Sequence, residues 1–252
     1  MAQENSFLPI SPEELDSMTF QVGLVAHDGL VIASDRKVTI FQPHLRKPGS
    51  RYTTQARKIC TSEDHSIICA VAGDELADAV ARRIIRLKIE NLRIEALNEL
   101  LKTTADEASA GHTKGMAEGH ESLRVRESSV LVGIPDAKEC PLWRIAVRDS
   151  SAPHYGAKLF GGDEASSAIY VAEAFYQEYS TSVDQAVAIA AHTVLEAGSL
   201  NPSGVSGLDV FVCSELGKRF LSQKEIEGLK DWSEKVHDGT RSLVTATPFR
   251  LS

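Results

Sequence analysis

The sequence is poor in the features that mark specialised protein classes. Its four cysteines (Cys60, Cys69, Cys140 and Cys213) are scattered and form no C-x-x-C pair. They therefore read as buried thiols of a reducing cytosol, not as a disulfide frame or a zinc site. No apolar run approaches the roughly 18 residues that a membrane span needs. The first ten residues carry neither a basic region nor a long apolar stretch, so they do not read as a secretory signal. Positive charge is short: 27 Lys and Arg stand against 35 Asp and Glu, a formal net charge of -8. That balance speaks against bulk affinity for nucleic acid or for an anionic membrane. The eight histidines make no H-x-x-x-H or other metal pattern, and no metal or other cofactor is implied. Gly161-Gly162 alone is too little for a nucleotide-binding loop, and no internal repeat is found. The remainder is ordinary globular material, 42% hydrophobic and 25% charged over 252 residues. A chain of that length can bury about 70% of its extended surface in one large core.

Residues 1–18 form a polar leader, in which Ser11-Pro12-Glu13-Glu14 has the cap, first-turn Pro and acidic third position of a helix start. From Thr19 the pattern changes. Residues 20–26 read as a strand, His27-Asp28-Gly29 as a hairpin turn and residues 30–34 as the returning strand. That pairing brings Asp35 back beside the start of the first strand. Residues 41–57 read as a polar connection. Strands are expected at 58–61 and at 66–72, the second apolar on both faces and so buried between layers. Gly73-Asp74 ends it, with Asp74 as the cap of a helix marked by Leu76, Val80, Ile84 and Leu87. A second helix follows through Ile94, Leu97, Leu101 and Ala108, then a mobile polar loop at 111–126 and strands at 129–134 and 142–147. Gly161-Gly162-Asp163 opens a third helix carrying Ala165, Ile169, Ala172 and Tyr176 on one face. Ser182 and Gln185 make a capping box for a fourth helix through Ala197. A late strand at 208–213 and a polar helix from Gln223 to Val236 complete the chain. The expected fold is α+β. Two antiparallel sheets flanked by helical pairs, a four-layer αββα sandwich, would satisfy this order. Residues 19–217 form its domain, and 218–252 a C-terminal helix and tail.

The run Thr19-Phe20-Gln21-Val22-Gly23-Leu24-Val25-Ala26-His27-Asp28-Gly29-Leu30-Val31-Ile32-Ala33-Ser34-Asp35-Arg36 resembles the opening of proteasome β-type and bacterial proteasome-like subunits. Lys58-Ile59, Ala70-Val71-Ala72-Gly73 and Gly161-Gly162-Asp163 resemble later segments of that pattern, in the same order. The resemblance implies an N-terminal-nucleophile hydrolase, a threonine peptidase that acts on peptide or unfolded protein. It also implies a homo-oligomeric ring of six or more subunits, cytoplasmic, and leaves room for an ATP-dependent unfoldase as a partner.

By the same resemblance Thr19 is the nucleophile, its proton taken by its own free α-amine. Lys58 sits beside it, tuning that amine and stabilising negative charge, and Asp35 holds Lys58. The Gly73 N–H suits an oxyanion hole, with a helix start behind it. Thr39 and Gly73 offer backbone pairing to an extended peptide, while Val38, Val71, Glu75 and Ala79 line a side-chain pocket. Ser203 or Ser206 supplies the supporting serine.

Three departures stand out: residues 41–57 are longer than the usual connection, Gly162 stands where active members carry Ser, and no Asp precedes Ser203-Gly204 or Ser206-Gly207 at the usual spacing. A catalytically silent structural or gating ring subunit is the alternative reading, and a small-molecule amidohydrolase a third. Two routes would expose Thr19: self-cleavage of the Met18–Thr19 bond, or translation from Met18 with removal of that Met. The leader ends in Met where propeptides end in Gly, and Glu13-Glu14 can be encoded by a ribosome-binding sequence. Both facts suit the second route, while the same glutamates also fit the capped helix.

Overall fold

The computed structural model describes residues 19–41, 51–73, 75–89, 92–115, 128–137, 141–147, 152–162 and 166–246. The leader with its helix start at Ser11, the cap at Asp74, Asp163 and Ala165 of the expected third helix, and most of the loop at 111–126 lie outside these residues. The described chain is α+β, with twelve strands in three antiparallel sheets and five helices.

The first strand, β1 (Phe20–Ala26), alternates Phe20, Val22 and Leu24 on one face with Gln21, Gly23 and Val25 on the other. The Asp28-Gly29 turn returns it as β2 (Gly29–Ser34), with Gln21 opposite Ser34 and Ala26 opposite Gly29. That register fixes which faces meet the two neighbouring layers. Both faces are buried because each packs against something different. Phe20, Val22 and Leu24, with Val31 and Ala33, join an apolar cluster with the helix α4 (Val183–Leu200). Leu30 and Ile32 instead meet Ile68, Leu131 and Leu142 from the other large sheet. A Cβ built on Gly23 would lie 2.7 Å from Leu142 Cδ1, so the missing side chain is what admits Leu142.

The first sheet has the order β10-β1-β2-β11-β12, where β10 is Lys158–Gly162, β11 is Asp209–Ser214 and β12 is Gly217–Phe220. The second large sheet runs β5-β6-β7-β8-β9: Ile59–Thr61, Ile68–Ala72, Ser129–Gly133, Leu142–Ala146 and His154–Tyr155. Its outer face packs on α1 (Glu75–Ile84) and α2 (Ile94–Gly115), through Cys69, Val130 and Trp143 against Leu76, Val80 and Leu101. The helix α3 (Ile169–Phe175) packs beside α4, as does α5 (Gln223–Ala246). The Ser182–Gln185 capping box of α4 forms in full, an arrangement worth about 1 kcal/mol.

Several sequence expectations are corrected. Residues 41–57 are not a plain connection: β3 (Lys37–Phe41) and β4 (Arg51–Gln55) pair as a two-stranded sheet. Its second strand is too polar to show an apolar alternation. Helix α1 stops at Ile84, and Leu87 donates its N–H back to the Ile84 carbonyl in a closing turn. The chain at 111–115 is the end of α2. Gly161-Gly162 closes β10 against β1 instead of opening a helix, with Gly162 opposite Phe20. Strands β9, β10 and β12 are short or polar and gave no periodic signal. The last helix runs ten residues past Val236, to Ala246.

Candidate active site

The β1–β2 register places Asp35 beside the start of β1. Asp35 donates its N–H to the Phe20 carbonyl (3.1 Å), and its Oδ1 accepts the Phe20 N–H (3.0 Å). Its Oδ2 accepts the Lys37 N–H at 3.0 Å. Two backbone donors thus fix the carboxylate before any side chain is added. Lys58, just ahead of β5, completes the group: its Nζ lies 2.9 Å from each Asp35 oxygen and donates to Thr19 Oγ1 at 2.8 Å. The Lys58 side chain is 9% exposed and that of Asp35 is fully buried. Thr19 is half-buried at the head of β1.

Burial pushes the Lys58 amine below the ordinary lysine range, while the Asp35 charge and hydrogen bond oppose that fall and Lys37 adds to it. Burial likewise raises the Asp35 carboxyl, opposed first by Lys58. The pair holds its ionic form through its two short contacts and the two backbone donors on the carboxylate. A lysine in this position can stabilise oxygen anion character at Thr19 and can exchange a proton with it.

Two glycines follow or close the strands nearby, Gly73 after β6 and Gly162 against Thr19. Gly73 ends β6 at φ +117°, and a Cβ there would meet Ser128 Oγ at 2.4 Å and its Cα at 2.8 Å. Gly162 sits at φ +83°, with Thr19 backbone O only 1.9 Å from where its Cβ would be. Both turns need a residue without a side chain. Gly162 N–H donates to Ser129 Oγ at 3.4 Å.

The other residues expected at the site lie on several elements. Val71 on β6 is half-buried and donates its N–H to the Lys58 carbonyl at 3.0 Å. Val38 and Thr39 lie on β3, opposite Thr54 and Thr53 of β4. Glu75 and Ala79 are one turn apart on α1, off the face that buries Leu76 and Val80, and Glu75 is exposed. Ser203 Oγ donates to Asn201 Oδ1 at 3.1 Å, and Ser206 Oγ accepts from Gln55 Nε2 at 3.0 Å. These two serines therefore engage Asn201 and β4. Sequence reasoning missed Phe20 and Lys37 as backbone donors to Asp35, because a backbone donor has no residue signature. Among the described residues no group of three or more His, Cys, Asp or Glu is placed to hold a metal ion. No helix of these residues is long and apolar enough to cross a membrane.

No protein-family model matches the chain, and no curated protein sequence matches it significantly. Solved structures do. Anbu (ancestral beta-subunit) from Yersinia bercovieri superposes with TM-score 0.68 at 16% identity, over 92% of this chain and all of that one. An Anbu (Gly-1) mutant from Hyphomicrobium sp. strain MC1 gives 0.66 at 12%, over 93% of this chain and all of that one. The structure described as the helical assembly of the Anbu complex from Pseudomonas aeruginosa gives 0.65 at 19%, over 92% and 98%. At such identities the likeness shows the fold alone.

These neighbours overturn the family drawn from the opening motif. They are Anbu proteins, proteasome-like but distinct from the proteasome β-type and bacterial proteasome-like subunits that the motif resembled. The reason is physical. Residues 19–36 encode a hairpin that returns an Asp to the start of its first strand, a requirement that distinct proteasome-like groups can share.

Proposed function

We propose that the chain is a threonine-type peptide hydrolase, a proteasome-like subunit that works in an assembly of its own copies. The observation that carries this reading is Lys58 Nζ, 2.8 Å from Thr19 Oγ1 and 2.9 Å from both Asp35 oxygens. In the proposed reaction the Thr19 hydroxyl attacks a peptide carbonyl. Its proton passes to the α-amine of an N-terminal Thr19, whose basicity Lys58 lowers. The oxyanion faces the Gly73 N–H, the departing amine takes the proton, and water hydrolyses the Thr19 ester. The backbone of β3 at Thr39 and that at Gly73 hold the substrate extended, and Val38, Val71, Glu75 and Ala79 contact its side chain. Ser203 and Ser206 support the group through the loop that bears them. The hydrolase domain runs from Thr19 through β12 rather than ending at 217, since β12 pairs with β11, and the three apolar clusters support a stacking of helices, sheet, sheet and helices. The helical assembly described for the Pseudomonas aeruginosa protein supports self-association here. Peptide or unfolded protein is the substrate, and an ATP-dependent unfoldase the delivering partner.

The test is hydrolysis of a short chromogenic peptide by the purified assembly. Thr19→Ala should abolish it while sedimentation stays unchanged, and N-terminal sequencing of the active species should read from Thr19. Turnover by Thr19→Ala, or by a species that begins upstream of Thr19, would overturn the reading.

A further inference from the structure

One residue along from the Asp35–Lys58 pair, on each side, runs a second ionic contact. Arg36 follows Asp35 and Arg57 precedes Lys58. Both bring Nε toward one oxygen, Oδ2 of Asp209, at 3.6 and 3.7 Å. Asp209 is the first residue of β11, opposite Ser34 on β2, and its side chain is 9% exposed. The two arginines come from different parts of the fold. Arg36 leaves the end of β2 in the first sheet, and Arg57 leads into β5 at the edge of the second large sheet. The Asp35–Lys58 pair spans the same gap, so two ionic bridges cross it side by side.

The chain before β11 reinforces the outer bridge. Arg36 N–H donates to the Ser206 carbonyl and Ala56 N–H to the Arg36 carbonyl, both at 2.8 Å. Gln55 holds the Ser206 hydroxyl, and Lys37 Nζ donates to the Ser203 carbonyl. Gly207, at φ +75°, leaves the Arg36 side chain room: a Cβ there would stand 2.9 Å from Arg36 Cβ. The Arg57 guanidinium carbon lies 3.9 Å from the centre of the Phe220 ring on β12, which fixes its outer side. Two guanidinium groups drawn to one point repel each other unless an anion stands between them. Burial raises the Asp209 carboxyl, and Arg36, then Arg57, oppose that rise.

We propose that Asp209 is a positioning residue for the Asp35–Lys58 pair, holding in register, through Arg36 and Arg57, the two chain segments that carry it. The inference rests on the reading of Thr19, Lys58 and Asp35 as the hydrolytic site. It explains what replaces the Asp that the sequence lacks before Ser203 and Ser206: a carboxylate further along, on β11, that reaches the site through its two arginine neighbours. Lys58 must meet three oxygens within 2.9 Å, and a displacement of about 1 Å between reacting groups costs on the order of a hundredfold in rate.

The experiment compares Asp209→Asn with the unaltered protein in its assembled form. Hydrogen–deuterium exchange should rise in peptides covering residues 35–38 and 55–59 and stay level in α4 and β7. The kcat for peptide hydrolysis should fall roughly tenfold at unchanged KM. Arg57→Gln, at a half-exposed side chain, should show a weaker form of both effects. Adding it to Asp209→Asn should add little, since both break one bridge. Unchanged exchange at 35–38 and 55–59 would overturn the proposal, as would a rise spread evenly over the chain, or a kcat unchanged in a folded variant of an active protein. If Asp209→Asn does not fold, Arg57→Gln decides by the same readings. If the unaltered protein does not hydrolyse peptide, the functional reading falls, and the exchange measurement still decides whether the bridge holds those segments.

Discussion

Two of the contacts between a hydroxyl and a basic nitrogen lie in very different surroundings. Lys58 Nζ stands 2.8 Å from Thr19 Oγ1, and His192 Nδ1 stands 2.7 Å from Ser233 Oγ. The first pair sits at the head of β1, where Thr19 is half-buried and Asp35 grips the base through both carboxylate oxygens. The second lies between α4 and α5. There His192 and Ser233 are both buried, and the Trp232 ring stands edge-on to the imidazole at 5.8 Å. Burial lowers the His192 pKa, with the Glu196 charge working against that fall. On the proposed function, the same hydroxyl-to-nitrogen distance serves two ends. A nucleophile also needs a charged or orienting third group and a face that substrate can reach. A hydroxyl and a ring enclosed by two helices satisfy each other and fasten the helices together.

The largest effect that would sharpen this contrast comes from Asp35→Asn. It strips the charge that pairs Lys58 in a place where neither side chain reaches water freely. Removing one partner of such a pair costs about 3–5 kcal/mol of stability, readable as a shift in urea midpoint. On the proposed mechanism hydrolysis should fall about a hundredfold or more, because Lys58 loses the carboxylate that orients it beside Thr19. If both stability and turnover survive, Thr19–Lys58 is no more than a second version of the helix-fastening pair.

Next in size is Gly162→Ser, which restores the residue expected of the proteasome pattern. At φ +83°, with Thr19 O 1.9 Å from where the Cβ would lie, the change forces the Thr19 backbone to move. It should cost on the order of 1–3 kcal/mol and lower hydrolysis. A gain in turnover would show that the β1–β10 contact is looser than this geometry.

Much of this was legible before any coordinates. The Asp28-Gly29 turn, the alternation of Phe20, Val22 and Leu24, and the Ser182–Gln185 box are local signals, and each produced the element expected of it. Asp35 and Lys58 were legible only as a set, through the spacing of the hairpin and the strands that follow. Strand β4 was not legible, because Arg51 to Gln55 has no apolar alternation; its pairing with β3 is set by the backbone register. The close of β10 on β1 was hidden by Gly161-Gly162, which reads equally as the start of a helix. The Arg36–Asp209–Arg57 bridge joins residues distant in sequence that have no motif in common, so only the β2–β11 register reveals it.

Ser233→Ala tests the other half of the contrast. It leaves the buried His192 Nδ1 without its hydroxyl partner, at a cost of about 1–3 kcal/mol, and should leave peptide hydrolysis per folded subunit unchanged. Any specific loss of kcat in a fully folded Ser233→Ala protein would break the division between a reactive and a fastening hydroxyl.

The smallest effect is a pH dependence of the α4–α5 contact. His192 is held below its ordinary value of 6.5, first by burial; Glu196 raises it and His237 lowers it further. The unfolded chain therefore binds a proton at a pH where the folded chain does not yet do so. With more protons bound in the unfolded state, stability rises with pH. The contribution is complete above about pH 6.5 and is lost as pH falls from there toward the lower folded value. Acidification from pH 7.5 to 5.5 should thus lower the Tm of the unaltered protein more than that of His192→Asn, whose amide can still bond Ser233 but does not titrate. A difference on the order of 2 °C is expected for a chain of this size. An equal fall in both proteins would assign the dependence to groups other than His192. In that event His192 would be a fastener without a titration, while the charged group at Thr19 would still be marked out by its response to Asp35→Asn.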